Sequence, residues 1–592
     1  MKNLLIGLLA LMIFSCTKNA EQSSTSAPNK DLAKVFDDYY EENLKLSPIS
    51  ATNQGDNRYN DLLPNDISQE FIEKSKAFYT SYLDKVNKFD RESLNDEDKI
   101  AYDIFKREME LQLEGYKFNG ELIPFQQFWG LPLTIGQLGS GDGSQPFKTV
   151  KDYEDWLKRV SAFKVWGDTA VVNFRKGIAA GIVLPKSLVV KMIPQMYDLV
   201  VSDPTKSLFY GPINKLPKDF SDVDKTRLTE AYKKAIMTEL VPTYKHLGDF
   251  LKNEYLPKAR TSSGIDALPQ GKELYTFQAK IWTTTDKTPD EIYETGLKEV
   301  ARIRGEMEKV KEQVGFKGTL DEFFTYLKTD KKFYPYKQPN EVLDAFRGIL
   351  TKIEPNLKKM FNKTPKAKFE VRQTEKFREA SASAEYNSPS VDGSRPGIFY
   401  VPIPDATKFN LTSGMESLFL HEAIPGHHYQ SALQQENTNL HKFQRFNWYG
   451  AYGEGWALYC ESLGKELGLY TDPYQYMGAL GDEIHRAIRL VVDVAIHTKG
   501  WSREKAIKYM MDNEPISEQG ATAEIERYMA VPGQALSYKI GALKIRELRE
   551  KYEKQLGSKF SLAAFHDEFL KDGCMPLSVL ERKMDAWAAK QK

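Results

Sequence analysis

From Asp31 onward the apolar positions fall mostly at helical spacing. Thr288-Pro289-Asp290-Glu291 has the form of a helix start, with Thr as N-cap, Pro in the first turn and Glu three places after the cap. Val300, Ile303, Met307, Val310 and Val314 then recur three to four apart. Ser502 opens a similar stretch carrying Ala506, Ile507, Met510 and Met511. Two segments depart from this pattern. Residues 118–148 are rich in Gly, Pro and aromatics and read as a long ordered loop. Residues 386–405 place turn signals around Ile398-Phe399-Tyr400-Val401, a β-branched and aromatic run that predicts a strand. Pro402 has no N–H to give to a ladder, so that strand is expected at a sheet edge. The pattern predicts a mostly helical (all-α) fold with a small β-sheet. It divides into an N-terminal helical half, 31–275, and a C-terminal half, 276–592, without internal repeats.

The first residues differ in kind. Lys2 precedes an apolar run from Leu4 to Phe14, too short for the roughly 20 residues that span a bilayer. It fits the hydrophobic region of a signal peptide, residues 1–16. The run ends in Ile13-Phe14-Ser15-Cys16, which resembles a bacterial lipobox: an aliphatic residue three places before a Cys and a small one directly before it. Residues 17–30 are polar and small, as in a flexible tether. The expectation is an exported protein anchored to a membrane by a lipid on Cys16. The two other cysteines, Cys460 and Cys574, are too few for a cysteine-rich metal site, and Cys460 sits in an apolar helical stretch suited to a buried thiol.

Composition narrows the class. The chain has 592 residues, 41% hydrophobic, which is globular rather than disordered. Lys+Arg and Asp+Glu number 82 each, so no net charge favours nucleic acid as a partner.

Three of the eight histidines lie in His421-Glu422-Ala423-Ile424-Pro425-Gly426-His427-His428. In a His-Glu-x-x-His helix two imidazoles one turn apart bind Zn²⁺, and the Glu acts as general base. Here the position four after His421 is Pro425, which cannot ligate. On a straight helix His427 would point roughly 240° from His421, and His428 would lie about 10.5 Å further along the axis. Neither shares a metal with His421 unless the chain bends. Pro425 removes an amide donor and clashes with the carbonyl four residues back, and Gly426 permits unusual backbone angles. The Pro-Gly pair is therefore expected to make a bulge that returns a second His. Ser413 and Glu416 have the spacing of a capping box upstream. Downstream, Glu454 and Glu461 in Gly453-Glu454-Gly455-Trp456-Ala457-Leu458-Tyr459-Cys460-Glu461 are seven apart, hence on one helical face of an apolar stretch. Carboxylates there are costly unless paired or metal-bound.

HEAIPGH followed by EGWALYCE resembles the bacterial domain-of-unknown-function 885 family, whose pattern is His-Glu-x-x-Pro-Gly-His. RAIRLVVDVAIH and ERYMAVPGQALSYKIG extend the resemblance over nearly the whole mature chain. That family in turn resembles, distantly, helical zinc peptidases such as thimet oligopeptidase and angiotensin-converting enzyme. The resemblance implies Zn²⁺ held by His421, His427 and Glu454, with His427 rather than His428 as the second histidine. It also implies Glu461 as an outer partner of the site.

Peptide hydrolysis also needs a donor for the oxyanion. Tyr528, in Glu526-Arg527-Tyr528, is the first choice through its similarity to angiotensin-converting enzyme, and Tyr538 the second. Arg527 and Lys539 are candidates for a substrate carboxylate, and Tyr400 for pairing with an extended peptide. Asp493, one turn before His497, is read either as the anchor of a zinc-site histidine or as a plain helix pair. Together these residues describe a membrane-anchored zinc metallopeptidase with a deep active-site cleft beside the sheet, a peptide substrate and Glu422 as base for metal-activated water. A ligand-binding lipoprotein with a non-catalytic metal, or a hydrolase of a non-peptide amide, is the alternative. Oligomeric state and endo- or exopeptidase mode stay open.

Overall fold

The computed structural model describes residues 27–376, 379, 382–390 and 395–592. Cys16, the 1–16 leader and most of the 17–30 tether lie outside the described residues.

Among the described residues the fold is mostly helical with one three-stranded sheet. The helix over Pro289–Gln313 starts as its sequence requires. Thr288 Oγ1 accepts from Glu291 N at 3.2 Å, and Glu291 returns the bond to Thr288 N at 2.8 Å. Val300, Ile303, Met307 and Val310 are buried along it. Ser502 caps the helix Arg503–Asn513, burying Ala506, Ile507 and Met510, whereas Met511 turns to solvent. The segment 118–148 is not one loop: Leu131–Gly139 forms a helix with Pro132 in its first turn, where no amide donor is missed.

The strands are β1 (Phe369–Gln373), β2 (Glu385–Asn387) and β3 (Gly397–Val401). Their order is β1-β3-β2, with β1 parallel and β2 antiparallel to β3. The strand carrying Tyr400 is thus central, contrary to the edge position expected from Pro402. Pro402 follows the last strand residue, so its missing N–H interrupts no ladder bond. Ile398, Phe399 and Val401 are buried, as befits a covered central strand, and Phe399 packs edge-on against Phe346 at 5.3 Å.

The division at residue 275 has no counterpart in the core. Tyr275 lies inside the helix Gly271–Thr283, and one apolar cluster runs from Phe125 to Ala535 across it. A second cluster, from Ile104 to Ala588, surrounds the sheet and the helices that carry His421 and Glu454. Cys460 and Cys574 are buried free thiols. Among the described residues no helix is long and apolar enough to cross a membrane.

Candidate metal centre

His421 and Glu422 end the helix Met415–Glu422. Its start is not the expected capping box. Gly414 is the N-cap, Ser413 Oγ donates to the Asn410 carbonyl at 2.6 Å, and Glu416 accepts from Tyr470 N at 2.8 Å. Nor is the Pro-Gly pair a bulge in one helix. The chain leaves helical geometry at Ala423, the Ile424–Pro425 peptide is cis, and a new helix runs from His427 to Glu436. Gly426 makes the close return possible: a Cβ there would stand 1.9 Å from the His421 carbonyl oxygen and 2.3 Å from that of Leu420. Trp456 Nε1 donates to the Pro425 carbonyl at 2.9 Å, tying the break to the helix Gly450–Ser462 that carries Glu454.

The break brings His427 beside His421, with ring centroids 4.9 Å apart and planes nearly perpendicular. His421 Nε2 and His427 Nε2 lie 3.4 and 3.6 Å from Glu454 Oε2. One donor atom from each of the three falls within 4.8 Å of the others. Zinc with tetrahedral bonds of roughly 2.0–2.1 Å requires donors about 3.3 Å apart. The two His–Glu separations meet that requirement, and two imidazoles with one carboxylate form a donor set suited to Zn²⁺. Glu461 lies behind the group, its Oε1 2.7 Å from His421 Nδ1. His428 is engaged by Tyr386, its Nδ1 2.9 Å from Tyr386 OH, and burial pushes its pKa down to about 4. It does not join the cluster.

The charges are tightly coupled. Burial works against the His421 imidazolium, but Glu454 and Glu461 outweigh it and raise its pKa to about 10. Burial likewise opposes the Glu454 carboxylate, which the two histidines hold well below the usual range. Glu422 is raised, chiefly by burial and secondarily by Glu454, against the pull of His421, His427 and Arg486.

A pocket of about 750 Å³ opens on this group. His421, Glu422, His427 and Glu454 line it together with Tyr386, Trp448, His485, Arg486, Arg489, Glu524, Arg527 and Tyr538. Tyr538 comes from the helix Ser537–Leu556, which packs against the Glu454 helix where Gly455 meets Gly541. A Cβ on Gly541 would lie 1.9 Å from the Ala451 carbonyl, so only glycine lets the two helices approach so closely.

Several expected participants lie elsewhere. Tyr528 is buried outside the pocket lining, its hydroxyl donating to Glu524 and accepting from Arg489 Nε at 2.9 Å. Of the two tyrosines, Tyr538 lines the pocket and Tyr528 does not. Lys539 is buried between Glu299 and Glu483, at 2.8 and 2.7 Å, and does not reach the pocket. Asp493 accepts from Tyr275 OH at 2.6 Å and Gly533 N at 3.0 Å, fixing the core rather than a zinc-site histidine. Tyr400, on the central strand, is not in the lining, whereas Glu385 and Tyr386 of β2 are. His485, whose sequence surroundings offer no partner pattern and imply a structural role, lines the pocket, as do Arg486 and Arg489. The sequence signal for the two arginines was the interruption of an apolar helix by Arg486, Arg489 and Asp493 at three- and four-residue spacing, which is one face of Pro473–Thr498.

A family described as "Bacterial protein of unknown function (DUF885)" matches residues 48–584. The chain belongs to this DUF885 family. The DUF885 chain is similar in structure to a protein of Colwellia psychrerythraea described as a "putative lipoprotein". The TM-score is 0.84 at 30% identity, covering 94% of this chain and 99% of the other. A Shewanella oneidensis protein, described as a "putative lipoprotein of unknown function", shares the fold at TM-score 0.75 and 20% identity, covering 94% of this chain and 100% of its own. No match is found among curated proteins.

Proposed function

We propose that this DUF885 protein is a zinc-dependent peptidase, exported and held on a membrane by a lipid on Cys16. The observation that carries the reading is the convergence of His421, His427 and Glu454 in one pocket with Glu422 beside them and Glu461 behind His421. Zn²⁺ held by those three side chains would supply Lewis-acid activation of water and of a peptide carbonyl. Glu422 takes a proton from the attacking water and delivers it to the leaving amine. A carboxyl whose pKa is raised by burial suits both halves of that exchange. Glu461 accepts from His421 Nδ1 and so leaves Nε2 as the ligating atom. Tyr538, in the pocket lining, is the donor for the developing oxyanion. β2 has β3 on one side and no second strand among the described residues. Its Glu385 and Tyr386 line the pocket, so an extended peptide has a backbone to pair with there.

The lipid anchor is supported by Ile13-Phe14-Ser15-Cys16 and by the lipoprotein descriptions of the two structural relatives.

The test combines metal analysis with digestion of a peptide mixture by wild type, Glu422→Gln and Glu454→Gln. Glu422→Gln is expected to keep zinc and lose about 100- to 10,000-fold in rate. Glu454→Gln is expected to lose zinc itself. Stoichiometric zinc without cleavage of any peptide would favour a binding role or another amide bond, and no zinc at all would end the proposal.

A further inference from the structure

The pocket wall contributed by Pro473–Thr498 and Glu518–Ala530 is cationic. Arg489, with only 9% of its side chain exposed, lies over the Tyr538 ring at 4.8 Å and the Tyr528 ring at 5.8 Å. Its Nε donates to Tyr528 and its Nη2 to Glu524 at 3.1 Å. Arg527 spans Gln534 at 2.8 Å and Glu524 at 3.1 Å. Arg486 donates through Nη1 to the Asp482 carbonyl at 3.0 Å, while its Nε is buried without a partner. Each guanidinium carries five N–H donors, so donor capacity remains on all three. Of the carboxylates that line the pocket, Glu385, Glu422, Glu454 and Glu524, Glu524 is the one within ion-pair distance of these guanidiniums, shared between Arg489 and Arg527; Asp482 sits 3.5 Å from Arg486 outside the lining. Glu514 is taken up by His485 at 2.9 Å. The three guanidiniums thus have two carboxylates, Glu524 and Asp482, within ion-pair distance. Desolvated cations are unfavourable unless an anion completes them, and the guanidinium fork fits a carboxylate with two parallel bonds.

We propose that Arg486, Arg489 and Arg527 form a subsite for the C-terminal carboxylate of a peptide, so that the scissile bond lies within a few residues of that end. The position of the cut rests on the peptidase reading; the subsite does not. An interior stretch of peptide is neutral along its backbone and gains nothing from this wall. A free carboxylate is the one negative charge that every short peptide brings, and here it would be held in the same pocket as Glu422 and the ligand triad.

Binding separates the two claims. Zinc-supplemented Glu422→Gln protein is titrated, by calorimetry, with one uncharged peptide as free acid, as C-terminal amide, and as an amide with Glu at its last position. The free acid is expected to bind about 10- to 100-fold tighter than the plain amide, the range of one charge-assisted hydrogen bond. Arg527→Gln, whose side chain is one-quarter exposed and tolerant of change, is expected to bring that ratio near one, and Arg527→Lys to restore part of it. Arg486→Gln provides a second, independent loss. Equal binding of acid and amide overturns the subsite. Full discrimination in both glutamine variants does the same. Binding of the Glu-containing amide as tightly as the free acid overturns the C-terminal assignment in favour of a side-chain carboxylate. If discrimination holds but wild type cleaves no peptide, the subsite stands and the hydrolase reading fails. In wild-type digests, products cut within a few residues of a free C-terminus support the proposal, and scattered internal cuts sink it.

Discussion

His421 Nδ1 lies 2.7 Å from Glu461 Oε1, with both side chains buried. A carboxylate accepts and does not donate, so Nδ1 carries a proton, and Nε2, on the Glu454 side, is the atom left for a metal. Glu461→Gln weakens that polarisation without removing a ligand. Zinc affinity is expected to fall about 10- to 100-fold, the usual effect of losing such an outer partner. Competition against a chromophoric chelator measures it, and an unchanged Kd would show that the pair only packs the helix.

Gly426 decides whether the second histidine returns. The difficulty of Gly426→Ala is first one of contact. The new methyl would meet two backbone oxygens, at 1.9 and 2.3 Å, and neither can swing aside. Destabilisation of about 1–3 kcal/mol is expected, as for other overpacked sites, together with weaker zinc binding because His427 is displaced from His421. A variant with the melting temperature and zinc content of wild type would refute this account of the break.

The lipid proposal predicts a change of location without a change of fold. Cys16→Ser is expected to move the protein from membrane to soluble fractions, with zinc content intact. Persistence in the membrane fraction would falsify the lipobox reading.

Much of this site was legible in the sequence because ligand chemistry is local. His421, His427 and Glu454 announce themselves as charged groups in apolar surroundings, and Glu461 follows Glu454 by two helical turns. What the sequence left open were choices that depend on tertiary approach. His427 and His428 are adjacent, and only the turn at Gly426 decides which faces Glu454. Tyr538 ranks behind Tyr528 until the contact of Gly455 with Gly541 brings the Tyr538 helix against Glu454. Lys539, one residue on, points away into the Glu299 and Glu483 pair. The edge position inferred from Pro402 failed for a local reason, because the proline begins one residue after the ladder ends.

The buried titratable groups outside the pocket predict how the fold responds to acid. His566 donates from Nδ1 to the Met360 carbonyl at 2.9 Å and accepts at Nε2 from Tyr459 OH at 2.8 Å. That arrangement is complete for the neutral ring and has no place for a second proton. Burial accordingly pushes its pKa down to about 3. His497 is held likewise, accepting from Ile265 N at 3.1 Å and donating to the Tyr528 carbonyl at 3.0 Å, and burial lowers it to about 3. An unfolded histidine takes up its proton near pH 6.5, so each ring contributes stability that is fully present above that pH and lost as pH falls toward 3. At pH 5 the loss is about 2 kcal/mol for each. Asp493 acts in the opposite sense. Burial raises its pKa to about 7, so its contribution is fully present below the unfolded value near 4 and is lost as pH rises through 7. The gap in melting temperature between wild type and His566→Gln should therefore narrow from pH 7 to pH 5, because the wild type alone loses the neutral-histidine contribution. The difference between wild type and Asp493→Asn should move the other way, with wild type gaining on the variant as pH falls. Thermal melts of the three proteins at pH 5, 6 and 7 decide it, and parallel curves for either pair would show that the group in question does not titrate with folding.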